Sequence, residues 1–494
     1  MRRILAELPE TLDATYERIL QEIPKSNKVH THRLLQCLTV AVRPLRVEEL
    51  AEVLAIDFGT SDESPRLNEA LRWEDQEQAI LSACSSLVAV IENENSRVVQ
   101  FSHFSVREFL TSDRLATSEM DASRYHHIPL EPASTIMAQA CLSILLRFDS
   151  HTDSAVVEKF PLAGYAAEHF GDHVEFEGVL SHIRDEVGYL LDTDKFHFAA
   201  WFWMCQNRVN YEHPPPPKVT PLHYVAERGY RGLVGFLISK RPEDVNVGGN
   251  FGTPLHAALE GGHADVAQLL LEHCVDVDAR DSDDQTPLHL AARRGFLGVS
   301  RTLVERHADI NARDKFGNTP LIRTRAIWDL TPEDRGLDVL KFLLEHGADT
   351  GATDGFQSTA LHVASYHGGV KTTQLILQHG ASVNARNRMG QTPLHRVLYS
   401  LDDDTISLDR YLDVIRCLLE HGADIGAQDN TNATPLHLTS YYGCSKAARL
   451  LLEHGASVHL QTSEGKTPFE VAAARGHESV AQLLSEHLQT KQSM

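Results

Sequence analysis

The 494-residue chain lacks the marks of several common functions. Its seven cysteines (37, 84, 141, 205, 274, 417 and 444) are scattered and never spaced as Cys-x-x-Cys. That pattern builds neither a disulfide framework nor a zinc ribbon, and it suits reduced thiols in a cytosolic protein. No uninterrupted apolar run approaches the ~18 residues that a membrane span needs. The start, Met1-Arg2-Arg3-Ile4-Leu5-Ala6-Glu7, carries two arginines but no sustained apolar stretch, so it does not read as a signal peptide. Basic residues are outnumbered: 46 Lys and Arg against 68 Asp and Glu leave a formal net charge of −22. Such a balance opposes a phosphate-backbone partner for the whole chain. Gly-x-x-x-x-Gly-Lys-Ser/Thr, Gly-x-Ser-x-Gly and Gly-x-Gly-x-x-Gly are all missing. Phosphate cradling, simple serine-hydrolase chemistry and dinucleotide binding therefore have no signature. Gly465-Lys466-Thr467 ends like a phosphate loop, but Leu460 stands where its first glycine would be. His126-His127 has no third ligand at zinc spacing, and the reading implies no metal, no cofactor and no catalytic residue.

What is present is a repeat. Thr-Pro-Leu-His occurs at Thr220–His223, Thr253–His256, Thr286–His289, Thr392–His395 and Thr434–His437. Weaker copies are Thr319-Pro320-Leu321-Ile322, Thr359-Ala360-Leu361-His362 and Thr467-Pro468-Phe469-Glu470. Successive threonines are 33, 33, 33, 40, 33, 42 and 33 residues apart. A period of this kind decides architecture before any local reading. Thr caps a helix, Pro fits its first position, and Leu with small residues such as Ala291 and Ala292 keeps it thin. Gly229, Gly261, Gly295, Gly368, Gly443 and Gly476 are expected to end these first helices. A second apolar helix follows, stopped by Gly347, Gly380, Gly422 or Gly455. Cys274 and His307 stand where that glycine is expected and would cost on the order of 1 kcal/mol each in a left-handed site. Two short helices cannot bury their own apolar face, so neighbours must stack.

These residues, with the Leu-Leu-Glu-His-Gly-Ala-Asp runs at Leu343–Asp349 and Leu418–Asp424, resemble the ankyrin repeat family over 218–490. The resemblance implies eight L-shaped units with hairpin fingers and a binding role without catalysis. Seventeen of the 28 histidines lie from His223 onward, and the repeat accounts for most of them structurally: box histidines tie neighbouring units, and helix-end histidines face the negative dipole end. The period stretches around Trp328–Arg335 and Ser400–Thr405, two insertions on the same side of the stack. Family binding surfaces are the fingers and the late first-helix positions. Here these are Arg293, Arg294, Tyr366, His367, Tyr399, Tyr441 and Tyr442 on the helices, with Lys315-Phe316 and Arg388-Met389 on the fingers. Exposed Tyr and Arg are frequent interface anchors, so this concave strip is the expected site for a protein partner.

Residues 1–115 read as three helices (Thr11–Ile23, Thr31–Val42, Val47–Leu54), a fourth near Ile80–Ser85, a hairpin of Leu87–Ile91 with Arg97–Phe101, and a helix at His103–Leu110; Pro44-Leu45-Arg46 reads as a link. That order is a winged helix. Leu8–Leu20, Arg43–Ala51, Cys84–Val88 and His103–Leu110 resemble the segment that follows the NTPase core in fungal NACHT–ankyrin proteins, relatives of NOD-like receptors. In that family the winged helix packs on the nucleotide domain and helps to hold the off state, so an NTPase domain is a second expected partner. Only seven residues precede Leu8, which is expected to mean a short relative or a start placed too late. The acidic Glu48, Glu49 and Glu52 argue against DNA binding through this block. Residues 116–217 read as a helical connector with helices at Pro129–Arg147, Leu162–Phe170 and Val179–Leu191 and an apolar plug at Trp201–Met204, ending in a stiff Pro214–Pro217 spacer. The expected whole is a mainly α, non-enzymatic scaffold or sensor in the cytoplasm or nucleus.

Overall fold

The computed structural model describes residues 12–492 apart from 59–63, 73–74, 85, 94–95, 118–123, 207–213, 215–218, 250, 325–335 and 401–407. Most of the spacer and of both period-stretching insertions thus lie outside the described residues. The chain forms two compact units: 1–225 with 230–242, and 226–229 with 243–494. Both are mainly helical.

The first unit begins with a winged helix. Helices α1 (Leu12–Glu22) and α2 (Lys28–Val40) bury Tyr16, Leu20, Leu34, Leu35 and Leu38. Strand β1 (Leu45–Arg46) leads into α3 (Val47–Leu54), followed by the β2–β3 ladder (Ile56–Asp57 with Arg66–Leu67) and α4 (Gln76–Cys84). The wing is β4 (Val88–Asn93) and β5 (Ser96–Phe101), closed by α5 (Phe104–Leu110). Its sheet runs β1-β5-β4, all antiparallel, with Leu45 opposite Val99. Leu45-Arg46 is therefore a strand and not the link that the sequence suggested; two residues are too few for alternation to show, and only pairing to β5 reveals them.

Glu49 fixes the join between β1 and α3. Its carboxylate is wholly buried and accepts Arg46 N–H at 2.7 Å, Arg46 Nε–H at 2.9 Å and both Arg43 Nη groups at 2.8 and 2.7 Å. Burial pushes its pKa up, but these bonds outweigh burial and hold it below the ordinary glutamate range. Glu52 accepts Leu162 N–H at 2.8 Å and Arg72 Nη2 at 2.5 Å; burial dominates there and raises its pKa.

A helical block follows: α6 (Asp113–Ala116), α7 (Leu130–Leu145), α8 (Ser154–Val157), α9 (Leu162–Val174), α10 (Val179–His182), α11 (Arg184–Leu190) and α12 (His197–Cys205). The single helix expected at Val179–Leu191 is broken at Ile183, which leaves helical dihedrals (φ −127°, ψ 22°) and is buried. Trp201 donates Nε1–H to Ala167 O at 2.9 Å and meets Phe170, Phe198 and Tyr224 edge-on. It is a packed plug with no open cage. Tyr224 belongs to the first helix of the first repeat, Pro221–Arg228, and most of that repeat falls in the first unit, its residues 226–229 in the second, although the repeat pattern starts at Thr220.

In the second unit, each threonine box opens a helix and a second helix returns: Pro254–Gly261 and Ala264–Leu271, Pro287–Arg294 and Leu297–Glu305, Ala360–Tyr366 and Val370–Gln378, Pro435–Tyr442 and Ser445–Glu453. The insertion-bearing repeats keep the order, with Pro320–Arg323 before Leu337–Glu345 and Pro393–Tyr399 before Leu408–Glu420. Gly262 (φ 89°), and not Gly261, takes the left-handed end of its helix. His307 is left-handed as expected (φ 65°), whereas Cys274 is not: Val275 N–H turns back to His273 O at 2.9 Å and the chain leaves the helix without that conformation.

The box histidine joins neighbours. His289 Nδ1 accepts Thr286 N–H at 3.1 Å, and its Nε2–H donates to Asn318 O at 3.0 Å. Backbone N–H only donates and C=O only accepts, so the imidazole must be neutral with its proton on Nε2. His256, His362, His395 and His437 repeat the arrangement onto the carbonyls of Gln285, Gln391, Ala433 and Lys466 at 3.0–3.1 Å. Burial lowers the pKa of all five, that of His362 to about 4. The unfolded chain takes this proton near 6.5. The stabilisation is therefore full above that pH and is lost as pH falls toward 4. In urea titrations between pH 7 and 5, above most carboxylate titration, the midpoint of the repeat unit should fall steadily with pH; a flat midpoint contradicts the bridge.

Candidate functional site

The fingers are built from one acceptor each. Asp314 Oδ1 accepts Phe316 N–H and Asn318 N–H at 2.9 and 2.8 Å. Asp281, Asp354, Asn387 and Asp429 turn their own fingers in the same way. Neighbouring fingers are laddered by single backbone bonds: Lys315 N–H to Asp283 O, Gly355 to Phe316, Arg388 to Phe356, Asn430 to Met389 and Ser463 to Thr431, all 2.7–3.0 Å. This register holds Phe316, Phe356 and Met389 at consecutive tips, 54%, 68% and 58% exposed. Water exposes them at a cost that a covering partner would remove.

The late first-helix positions form the wall beside the fingers. A cavity of ≈ 410 Å³ lies among Phe356, Val363, Tyr366, Met389 and Arg396, and His367 and Arg388 also line it. A second cavity, ≈ 570 Å³, lies among Tyr399, Tyr441, Tyr442, Val471 and Arg475. Arg396 lies 4.4 Å over the Tyr366 ring and Arg475 3.7 Å over Tyr441. Tyr441 and Tyr442 meet edge-on at 5.0 Å, and Tyr399 reaches Tyr442 at 6.1 Å. Burial raises the Tyr399 phenol pKa and lowers that of the Arg396 guanidinium.

Thus Tyr366, His367 and Met389 share one cavity, and Tyr399, Tyr441 and Tyr442 share the other. Of these four tyrosines only Tyr441 is exposed; the other three are half-buried walls where free side chains were expected. Phe316 is exposed but lines neither cavity. Arg293 and Arg294 are both turned back onto Glu260 of the preceding repeat, which occupies part of their charge. The sequence reading missed Phe356, Arg396 and Arg475. Phe356 could have been found, because Gly355-Phe356 is in phase with Lys315-Phe316. His256, His289, His362, His395 and His437 of the boxes are spent on bridges, and helix-end His346, His379, His421 and His454 donate Nδ1–H to the carbonyl four residues back at 2.8–2.9 Å. Among the described residues no group of three His, Cys, Asp or Glu side chains gathers as a metal site. No described helix is long and apolar enough to cross a membrane.

The ankyrin-repeat profile matches residues 222–314, 333–429 and 405–493, more than half of the chain. The chain belongs to the ankyrin repeat family. Its repeats are non-catalytic and support a protein-interaction role. Residues 16–121 match the winged helix domain of GPI inositol-deacylase, which agrees with the wing described above. The azaphilone pigments biosynthesis cluster protein L of Monascus ruber is 29% identical over 259 residues, 49% of this chain and 53% of that protein. The chain thus spans about half the length of the curated relative it matches.

Gly390 is the point where finger geometry can be tested. Its φ is +71°, and a Cβ there would meet Asn430 Oδ1 and lie 3.0 Å from Asn430 N, the donor to Met389 O. Gly390→Ala should cost about 1–2 kcal/mol of stability by urea unfolding. An unchanged midpoint would mean that the ladder carries no strain-sensitive contact.

Proposed function

We propose that this chain is a non-enzymatic recognition scaffold or sensor, whose ankyrin array binds a protein partner along the finger tips and the first-helix wall. The single observation that supports it is the gathering of Phe316, Phe356, Met389, Tyr366, His367, Tyr399, Tyr441 and Tyr442 along consecutive repeats, with cavities between them. Aromatic and Met side chains beside pockets are the common anchors of interfaces. Arg293 and Arg294 extend the strip as rim charges, tuned by Glu260.

The winged helix is read as a regulatory clamp for a nucleotide-binding core of the NACHT type, carried by the same gene product or by another chain. Its α3 carboxylates support a packing role over a DNA-reading one, since Glu49 and Glu52 are buried and engaged within the protein. On this reading the chain acts in the cytoplasm or nucleus, and it is equally the recognition half of a longer signal-transducing NTPase.

The test is affinity capture with quantitative mass spectrometry, using the full chain and its Tyr366→Ala/Tyr441→Ala/Tyr442→Ala variant. Proteins retained by the first should be lost at least tenfold with the second, with the melting temperature lowered by only a few degrees. Equal capture by both would remove the strip from the reading.

A further inference from the structure

The repeats can be compared with one another position by position, and one pair stands out. The position four residues after the box threonine is apolar or aromatic in six repeats and arginine in two: Arg323 and Arg396. The finger-turn acceptor five residues before that threonine is Asp314 for the first and Asn387 for the second. Asp314 is wholly buried and pairs with Arg323 at 2.8 Å, while Arg323 Nε–H donates to it at 2.9 Å. Bonds from Arg323 and Asn318 overcome its burial and hold its pKa below the ordinary aspartate range. Arg396 has no such partner. Among the described residues it makes no ion pair, and its buried Nε–H has no acceptor. Asn387 spends its Oδ1 on Met389 N–H and Gln391 N–H, so the turn is preserved while the charge is gone.

A half-buried guanidinium without an ion pair, with Asp354 acting on it only from beyond ion-pair distance, is an unfavourable arrangement in an isolated chain. It lies against Tyr366 and faces a cavity whose other walls are Phe356, Val363 and Met389, with Arg388 at the rim. We propose that this cavity takes an acidic side chain together with a neighbouring large apolar side chain from the partner protein, the partner's carboxylate replacing the aspartate that Asn387 lacks. The inference rests on the strip being a protein-binding surface. A carboxylate fits better than a doubly charged phosphate because Asp354 also lines the cavity. A chain segment fits better than a free acid because the cavity opens beside the exposed tips of Phe356 and Met389, along which a segment can continue.

The test is selection of random heptapeptides displayed on phage against the immobilised full chain. Enriched peptides should carry Asp or Glu within two positions of Phe, Leu, Ile or Met. A synthetic copy with that acid changed to its amide should bind at least tenfold more weakly. Asn387→Asp supplies the internal counter-ion and keeps the shape of the cavity, which residue 387 itself lines; it should weaken the peptide at least tenfold without lowering the melting temperature, and Arg396→Gln should weaken it similarly. Enrichment of peptides without an acid, failure to enrich any peptide, or wild-type affinity in either variant overturns the site. Peptides lost with Tyr441→Ala yet indifferent to both variants overturn it while leaving the strip as a binding surface.

Discussion

A neutral imidazole that holds two chain segments at once is the interaction on which the array depends. Each bridging box histidine accepts an orphan N–H at the start of its own helix and donates its Nε2–H to the carbonyl that precedes the next repeat's threonine. Neither repeat buries enough apolar surface alone, and the bridge fixes the rotation at which the two surfaces meet. The arrangement also explains its exceptions. The last repeat has Glu470 in place of histidine; it accepts Thr467 N–H at 2.7 Å and reaches no further. The fourth repeat has Ile322, and there the buried Asp314–Arg323 pair ties finger to helix instead.

Function follows from what this bridging leaves free. With the helices clamped from within, the finger tips need only one ladder bond each to stay in register, so their side chains can be spent on exposure. That is how Phe316, Phe356 and Met389 are held in water, and how two cavities stay open between side chains of successive repeats. The same division of labour lets a single exchange, aspartate to asparagine at 387, alter the charge of one cavity without disturbing its turn.

Much of this was legible in the sequence because a period amplifies weak local signals. Thr-Pro-Leu-His fixed the helix starts, and the histidines could be assigned to structure from their phase alone. Single positions were less legible. Gly261 and Gly262 are adjacent, and only the dihedral angles show which one turns the chain. Cys274 occupies a glycine position without adopting glycine's conformation. Arg293 and Arg294 looked free because their partner, Glu260, lies 33 and 34 residues back. In the winged helix, β1 is two residues long and β2–β3 pair across a ten-residue span, so neither has a pattern to read.

The central constraint can be measured directly by long-range 1H–15N correlation of the histidine side chains in the uniformly labelled chain. At neutral pH the structure requires His256, His289, His362, His395 and His437 to be neutral with the proton on Nε2, and to stay so well below pH 6.5. The same imidazoles carrying their proton on Nδ1, or titrating with the ordinary value, would contradict the bridge and the packing built on it.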